Sequence, residues 1–397
     1  MHVVVVGGGT IGMFVSYYLL KDGHTVTVVD GDSAGERTSV YNGGLITPSS
    51  APAPTISLRR TIYASLRQFG PIYISPRQFL GKMSWFLPIL RKKIGGSGKV
   101  AMDLGTRSLK LYHDFFREES IETDLNKGMI ALYADAEHAE EAAHALKGRF
   151  VDKAEASKLG FKGFDGGVLF EDELSINPAK LHSELRRRLT EMGARVVLGR
   201  NARLQGDRPR ICMARTDGEE LIGDQYVIAA GARTSELCKP LGYDPRIIPA
   251  RGLAMVFDTG GAQITRVPAI FEDHGVVAVQ HNENCFRISS FFDIVGFRDN
   301  LRESRKKWLL ETASTHLSNY SCLRYVEEGV GYRPCTPDHL PLIGKVPGYD
   351  NLYIASGHCR LGITLAPGTG YMVSSLISGR GLSDSMVRDF DPSRFAS

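Results

Sequence analysis

The stretch Val3 to Gly12, VVVVGGGTIG, restricts the fold more than any other part of the chain. A run of β-branched apolar residues predicts a short buried strand. Gly7, Gly9 and Gly12 follow it as G-x-G-x-x-G. Gly7 permits the tight turn, Gly9 admits a pyrophosphate to the backbone, and Gly12 allows the next helix to pack closely on the strand. That helix, expected from Thr10 to Asp22, starts with free N–H groups, those of Thr10 and Ile11 among them, which suit phosphate oxygens. A second buried strand, Thr25 to Val29, ends at Asp30, placed to accept from an adenosine ribose hydroxyl. The motif by itself serves NAD and FAD equally, because both carry an ADP half.

At 397 residues the chain is long enough for two domains, or for one interrupted by another. The six cysteines are scattered without C-x-x-C spacing, so free thiols in a reducing compartment are expected, and no metal site. No secretory signal precedes the first strand, and no apolar run reaches membrane-spanning length. The expected location is cytoplasmic, or peripheral on the inner face of the cell membrane.

Net charge is only +4, but its distribution is uneven. No acidic residue lies between Glu36 and Asp103, and ten cations do, so the rest of the chain is net negative. Within this basic region Pro76 to Lys93 alternates apolar residues at helical spacing with cations, although Pro88 should kink or interrupt a helix. Two readings stay open. The segment between residues 57 and 100 binds an anionic membrane surface, or it is a core-facing helix with a solvated basic side. No feature points to nucleic acid.

Further along, the small polar loop around Ser39, Tyr41, Asn42 and Gly43 could wrap the middle of a long cofactor. Asn177-Pro178 starts a helix whose buried stripe is Leu181, Leu185 and Leu189. Gln225 to Ala232, QYVIAAGA, is a buried strand ending in residues small enough to touch a ligand. It returns the chain to the nucleotide-binding domain, so residues 49 to about 150 are expected as an insertion. Short alternating runs between Pro249 and Phe292 predict an antiparallel sheet. A glycine-rich loop from Gly357 then leads to a helix expected at about Gly368 to Ser378. Arg333 and Arg360 are cations in apolar or small-residue settings; each needs an anionic partner, either a ligand or a structural acid.

Taken together, VVVVGGGTIG with Asp30, TSVYNGGLI, DELSINPAKLHSELRRRLTEMGARV, YVIAAGA, GYRPCTPDHLPLIG and GHCRLGITLAPGTG resemble the D-amino acid oxidase superfamily of flavoproteins over nearly the whole chain. The pattern is most similar to its D-amino acid dehydrogenase branch, with a glycine oxidase-like arginine in GHCRLGITLAP. The resemblance implies a mixed α/β and α+β architecture. A discontinuous Rossmann-like FAD-binding domain (residues 1–50, 151–250 and 330–397) would carry a substrate domain (51–150 and 251–329) on a mainly antiparallel sheet. It implies non-covalent FAD and no nicotinamide. Gly7, Gly9, Thr10, Ile11, Gly12 and Asp30 would hold the ADP half; Ser39, Asn42 and Gly43 would lie by the pyrophosphate or flavin. Ala202 would contact adenine, Ala230 and Gly231 would lie by the cofactor, and Gly362, Ile363 and Thr364 would face the flavin.

By the same resemblance Arg333 pairs with the substrate carboxylate, and Arg360 and Tyr41 complete the substrate site. The activity implied is oxidative deamination of an amino acid, a D-amino acid or a cyclic one such as D-proline. The hydride passes from the α-carbon to the flavin with no protein acid or base, and electrons go on to a quinone, dye-type or protein acceptor. A glycine or sarcosine oxidase releasing peroxide, or a flavoprotein subunit of a heteromeric complex, would share these motifs. Two departures are specific to this chain. The substrate-contacting tyrosine of glycine oxidase falls near Val276 and Val277. Gly331 stands where sarcosine oxidase links its flavin, with Cys335 out of register.

Overall fold

The glycine motif leaves the middle of a six-stranded sheet. The structure is a computed structural model that describes residues 1–32, 37–51, 70–90 and 97–395. The strand order in this sheet is Leu342–Lys345, Leu352–Ser356, Gln225–Ile228, His2–Val6, Thr25–Asp30 and Arg195–Leu198, all parallel except the first pair. Val3 and Val5 enter the core between the sheet and its helices, while Val4 and Val6 enter a second core with Ala214 and Leu221 of a three-stranded sheet. Burial on both faces is why this strand reads as unbroken valine rather than alternating. The expected return of QYVIAAGA is present in full: Tyr226 pairs with Val4 on one side and with Leu352 on the other.

A mixed, mainly antiparallel sheet of ten strands forms the second layer system. Its path runs from Arg324–Cys335 through Ile248–Asp258, Cys285–Ile294, Val276–Asn282, Ala269–Phe271, Asn126–Tyr133 and Gly166–Ser175 to Leu45–Ile46. The helix Glu303–His316 covers one face through Leu309 and Ala313.

Three expected boundaries move. Arg149–Asp152 and Gly166–Ser175 pair within the large sheet, not with the nucleotide-binding strands, so a change of domain at residue 151 falls inside it. The strand Arg324–Cys335 is an edge of the same sheet and crosses the expected boundary at 330. The helix Ser97–Glu119, expected in the inserted domain, packs on the nucleotide-binding side: Ala101 and Leu104 join Val15 and Leu19, and Tyr112 and Phe115 meet Phe14 edge-on. Strand partners and helix docking are chosen by tertiary contact, which a local pattern does not encode.

Two aromatic residues of the basic segment face the core. Helices Pro76–Gly81 and Met83–Leu90 span that segment, the second running through Pro88. Trp85 and Phe86 are buried against Ile248, Ala250 and Ile294, and Trp85 Nε1 donates to Arg246 O at 2.9 Å. Of the ten cations, Arg59, Arg60, Arg67, Arg91, Lys92 and Lys93 lie outside the described residues, as does much of the expected membrane face.

Cys335 and Cys359 are joined in a disulfide, against the expectation of free thiols; Cys212, Cys238, Cys285 and Cys322 are free. The pair is 24 residues apart in sequence and has no motif. It meets only because Cys359 N–H donates to Pro334 O at 2.7 Å, laying the loop after Ser356 against the end of the edge strand.

Glu173, on the strand Gly166–Ser175, is buried at 5% exposure and accepts from Ser49 N at 2.7 Å and Ser49 Oγ at 3.0 Å. Burial pushes its carboxyl up to about 7 from 4.5, against the opposing effect of those hydrogen bonds. The folded protein therefore holds this proton more tightly than the unfolded chain. The stabilisation is complete at low pH and is lost as pH rises through about 7. Glu173→Gln keeps the acceptor without the charge. Its melting temperature should exceed that of the parent above neutral pH, by up to about 3 kcal/mol in stability, and the gap should close below pH ~5. Thermal unfolding of both proteins across that range is the check.

Candidate active site and cofactor cleft

One cavity of about 1280 Å³ runs between the two sheets. That exceeds the usual few hundred to about 1,000 Å³ of a small-ligand pocket and suits an extended dinucleotide. Its lining includes Gly7, Gly9, Thr10, Ile11, Asp30, Ser39, Asn42 and Gly43, then Ala202, Ala230, Gly231, Gly362 and Ile363, and also Arg333 and Arg360. Residues spread from one end of the sequence to the other thus meet at one surface.

Gly7 has φ +119°, and a Cβ there would stand 2.3 Å from Ala229 O. Gly12 is not in the lining; a Cβ on it would lie 1.8 Å from Gly7 O, so its role is close helix packing. Asp30 Oδ2 accepts from Gly8 N at 2.5 Å and Oδ1 from Asp32 N at 2.8 Å, which fixes the carboxylate at the end of its strand. Ser39 Oγ accepts from Thr10 N at 3.0 Å, so the small polar loop is docked on the first turn of the helix Thr10–Lys21. Two residues outside the sequence-based set hold this arrangement. Arg287, nearly buried, donates through Nη1 to Val40 O at 2.7 Å and Asn42 O at 2.9 Å. His182 Nε2 lies 3.0 Å from Gly8 O.

The helix after the glycine-rich loop differs from expectation. It spans Gly362–Ile377 and so begins six residues earlier, with Pro367 inside it. A proline there supplies no N–H to the carbonyl four residues back, that of Ile363. Tyr112 Oη donates to that carbonyl at 2.8 Å, and Ser108 Oγ accepts from Gly368 N at 2.8 Å. The neighbouring helix thus repairs the break, and the first turn at Gly362 and Ile363 opens on the cavity. Gly368, expected at the helix start, sits against Ser108 and Leu104 instead. Thr364 is buried outside the lining, accepting from Thr47 N at 3.1 Å and donating to Leu45 O at 3.2 Å.

Arg333 projects from the strand Arg324–Cys335. Its Nη1 donates to Phe291 O at 2.6 Å, a carbonyl turned by the left-handed backbone of Phe291 at φ +74°. A Cβ on Gly252, in the adjacent strand, would stand 2.4 Å from Nη1, so that glycine makes the room for the guanidinium. Asp293, the acid nearby, is taken by Arg251 Nη2 at 2.8 Å and Arg305 Nη2 at 2.6 Å. Burial pulls the Arg333 guanidinium down to about 10, against the field of Asp293. It stays cationic at neutral pH and is hydrogen-bonded to the Phe291 carbonyl, which leaves it suited to an incoming carboxylate. Gly252→Ala should push the guanidinium aside: KM for a carboxylate substrate should rise at least tenfold while the melting temperature barely moves, because a side-chain tip yields where backbone would not. Steady-state kinetics and thermal unfolding on one preparation separate the two effects.

Arg360 faces the cavity from the loop after the disulfide; its Nη2 lies 3.4 Å from Ala51 O. Tyr41 does not line the cavity. Its ring covers Gly329, where a Cβ would fall within 2.3 Å of it, because the residue points across the edge strand. Val277 does line the cavity, opposite Gly43. Glu272 and His339 are lining residues that the sequence reading missed. The one available signal for Glu272 was an acidic pair directly after a short apolar strand. His339 could have been noticed only with its backbone known, since it is non-glycine at φ +61°.

These features fit FAD. Small residues admit the cofactor backbone, an acid stands at the end of the second strand, and the first turns of two helices open on one cleft. Cys335 is consumed by the disulfide with Cys359. Among the described residues no cluster of acids, histidines and cysteines could hold a metal.

Known proteins agree. A D-amino acid dehydrogenase of Methylobacterium nodulans is 28% identical, covering 96% of both chains. Among solved structures, iminodiacetate oxidase from Chelativorans sp. BNC1 superimposes with a TM-score of 0.79 at 16% identity, covering 98% of each chain. Glycine oxidase from Bacillus cereus gives 0.76 at 16% identity, covering 97% of each. The FAD dependent oxidoreductase family matches residues 2–376, and the chain, an FAD-dependent oxidoreductase with the fold its glycine motif and antiparallel roof predict, belongs to that family.

Proposed function

We propose that the protein oxidises the bond between the α-carbon and nitrogen of a D-amino acid, or of a cyclic or secondary one such as D-proline, and passes the electrons to a quinone or dye-type acceptor. The observation that carries this reading is Arg333, a guanidinium in the cofactor cavity whose nearest acid is already held by two other arginines. FAD, when bound, supplies the acceptor for two electrons and the α-hydrogen.

The chain's own contribution is binding and orientation. Arg333 takes the carboxylate in a bidentate fork, with its own plane set by Phe291 O and by the space over Gly252. Val277, Phe291 and Phe292 line the cavity with apolar surface and keep water from the reacting carbon. The first turn at Gly362 offers N–H groups to negative charge. The imino acid product leaves and hydrolyses in water to the oxo acid and ammonia or an amine.

The D-amino acid dehydrogenase relative supports a dehydrogenase acting on D-substrates. A second reading, an oxidase releasing peroxide, draws on the oxidases of the same fold. Turnover of the purified yellow protein on D- and L-amino acids, proline and N-methylglycine decides between them, first with a dye and then with oxygen alone. Dye reduction with little peroxide supports the dehydrogenase; rapid peroxide formation replaces it with the oxidase. Absence of turnover on every carboxylate amine would remove the substrate class itself.

The acceptor side of the proposal includes peripheral contact with anionic lipid. Its support is exposed Leu80, Met83 and Leu87 beside exposed Arg77, on helices adjoining the basic segment. Sedimentation with anionic vesicles at low salt tests it, and a protein that stays in the supernatant rejects it.

A further inference from the structure

Resting on the reading of Arg333 as the carboxylate anchor, the geometry points to Glu272 as a catalytic residue that receives the proton of the substrate ammonium. At neutral pH an amino acid carries its nitrogen as ammonium, which has no lone pair to assist departure of the α-hydrogen. A group in the cavity that takes that proton lets the abundant ammonium form react, and nothing in the motifs provides one.

Glu272 directly follows the short strand Ala269–Phe271, and its backbone N–H donates to Leu132 O at 3.0 Å. That anchors the residue between the sheet and the cavity it lines together with Arg333 and Arg360. The side chain is open to the cavity space. Three charged or titratable groups act on it or are acted on by it: Arg360 from the C-terminal loop, Asp273 beside it, and Tyr133 from the neighbouring strand. Asp273 also lines the cavity, but its Oδ2 is engaged, accepting from Ala134 N at 2.8 Å. Surrounding protein raises the Glu272 carboxyl above the usual carboxylate range, more than Arg360 lowers it. A carboxylate so placed is a better proton acceptor than a solvated one.

The step balances without any outside reagent. The ammonium N–H bond breaks, an O–H bond forms on Glu272, and the nitrogen keeps the electron pair. Arg333 stays paired with the carboxylate. Arg360 then faces a neutral acid, so the cavity gains one uncompensated positive charge while the substrate becomes an anion. The proton leaves to water after the product departs.

The test uses the FAD-loaded protein and its Glu272→Gln variant, with amino acids of different ammonium pKa. In the parent, kcat/KM should fall as pH drops through the Glu272 value and reach a plateau above it, at the same pH for every substrate. In E272Q only the free amine reacts. Its kcat/KM should rise by about one order of magnitude per pH unit up to the ammonium pKa of each substrate, so that the break tracks the substrate. A break that stays where the parent has it overturns the proposal, and so does a loss confined to substrates with cationic side chains.

An α-hydroxy acid, which keeps the carboxylate and lacks the amine, separates this from the Arg333 reading. Titrated by flavin absorbance, it should bind E272Q as tightly as the parent. If it binds neither protein, the carboxylate anchor fails, whereas an unshifted pH break with normal binding fails Glu272 alone. Should E272Q not load FAD, Glu272→Asp serves in its place. It must keep the acid limb and lose kcat at least tenfold, and an unchanged kcat overturns the proposal.

Discussion

Arg333→Ala should lower kcat/KM for a carboxylate amine by roughly 30- to 5,000-fold, the effect of about 2–5 kcal/mol for truncating one partner of a buried charge pair. The loss should fall chiefly on KM if the carboxylate is held equally in the ground and transition states, and on both constants if it is gripped more tightly as the α-hydrogen leaves. Lysine is no substitute: it keeps the charge but cannot form the fork, so Arg333→Lys should recover little. Flavin content should remain, since Arg333 reaches the cavity from the roofing sheet and not from the nucleotide-binding strands. Kinetics on FAD-loaded variants with one substrate provide the check. Unchanged kcat/KM would remove Arg333 from the site and with it the carboxylate as the recognised group.

Gly12→Val should leave little folded, FAD-loaded protein. A Cβ at this position would meet Gly7 O at 1.8 Å and Gly7 C at 3.0 Å, and both atoms are backbone, so no rotamer change relieves the clash. The helix Thr10–Lys21 would have to move away from the strand His2–Val6, opening the core around Val3, Val15 and Leu19. Overpacking alone typically costs about 1–3 kcal/mol, and a rigid backbone contact puts this case at or beyond the upper end. The same shift would carry Thr10 and Ile11 away from the cavity. Flavin absorbance and thermal unfolding should therefore fall together. A yellow protein with an unaltered melting temperature would contradict the packing role given to Gly12.

The contrast between these two residues reflects what can be read without a fold. Gly7, Gly9, Gly12 and Asp30 belong to a local pattern whose chemistry is backbone chemistry: a turn, a close approach, an N–H, a strand end. All of it lies within one strand, one helix and the next strand. The return of Gln225–Ile228 to the central sheet was equally legible, because a strand buried on both faces has few places to go. The resemblance added Arg333 and Arg360, which composition alone marked only as cations in need of a partner.

Other positions depended on neighbours far away in the chain. Tyr41 lies in the right loop but its ring covers Gly329, a contact over nearly 300 residues that decides which way it points. The helix after Gly357 starts before Pro367, because Tyr112 satisfies the carbonyl that the proline leaves without a donor. Trp85 and Phe86 belong to the core, since Ile248 and Ile294 offer them an apolar surface. Cys335 and Cys359 pair because the edge strand and the C-terminal loop run side by side.

The sequence by itself determined the strand, helix and second strand that open the nucleotide-binding half, since these are written in residues whose spacing carries the chemistry, while FAD as the cofactor and Arg333 as the proposed carboxylate anchor came from the resemblance. Only the tertiary structure decided how the cavity is charged. Glu272, Arg333 and Arg360 come from three separate elements, and the field of Arg360 on Glu272 and on Arg333 falls off with a distance that no local spacing contains.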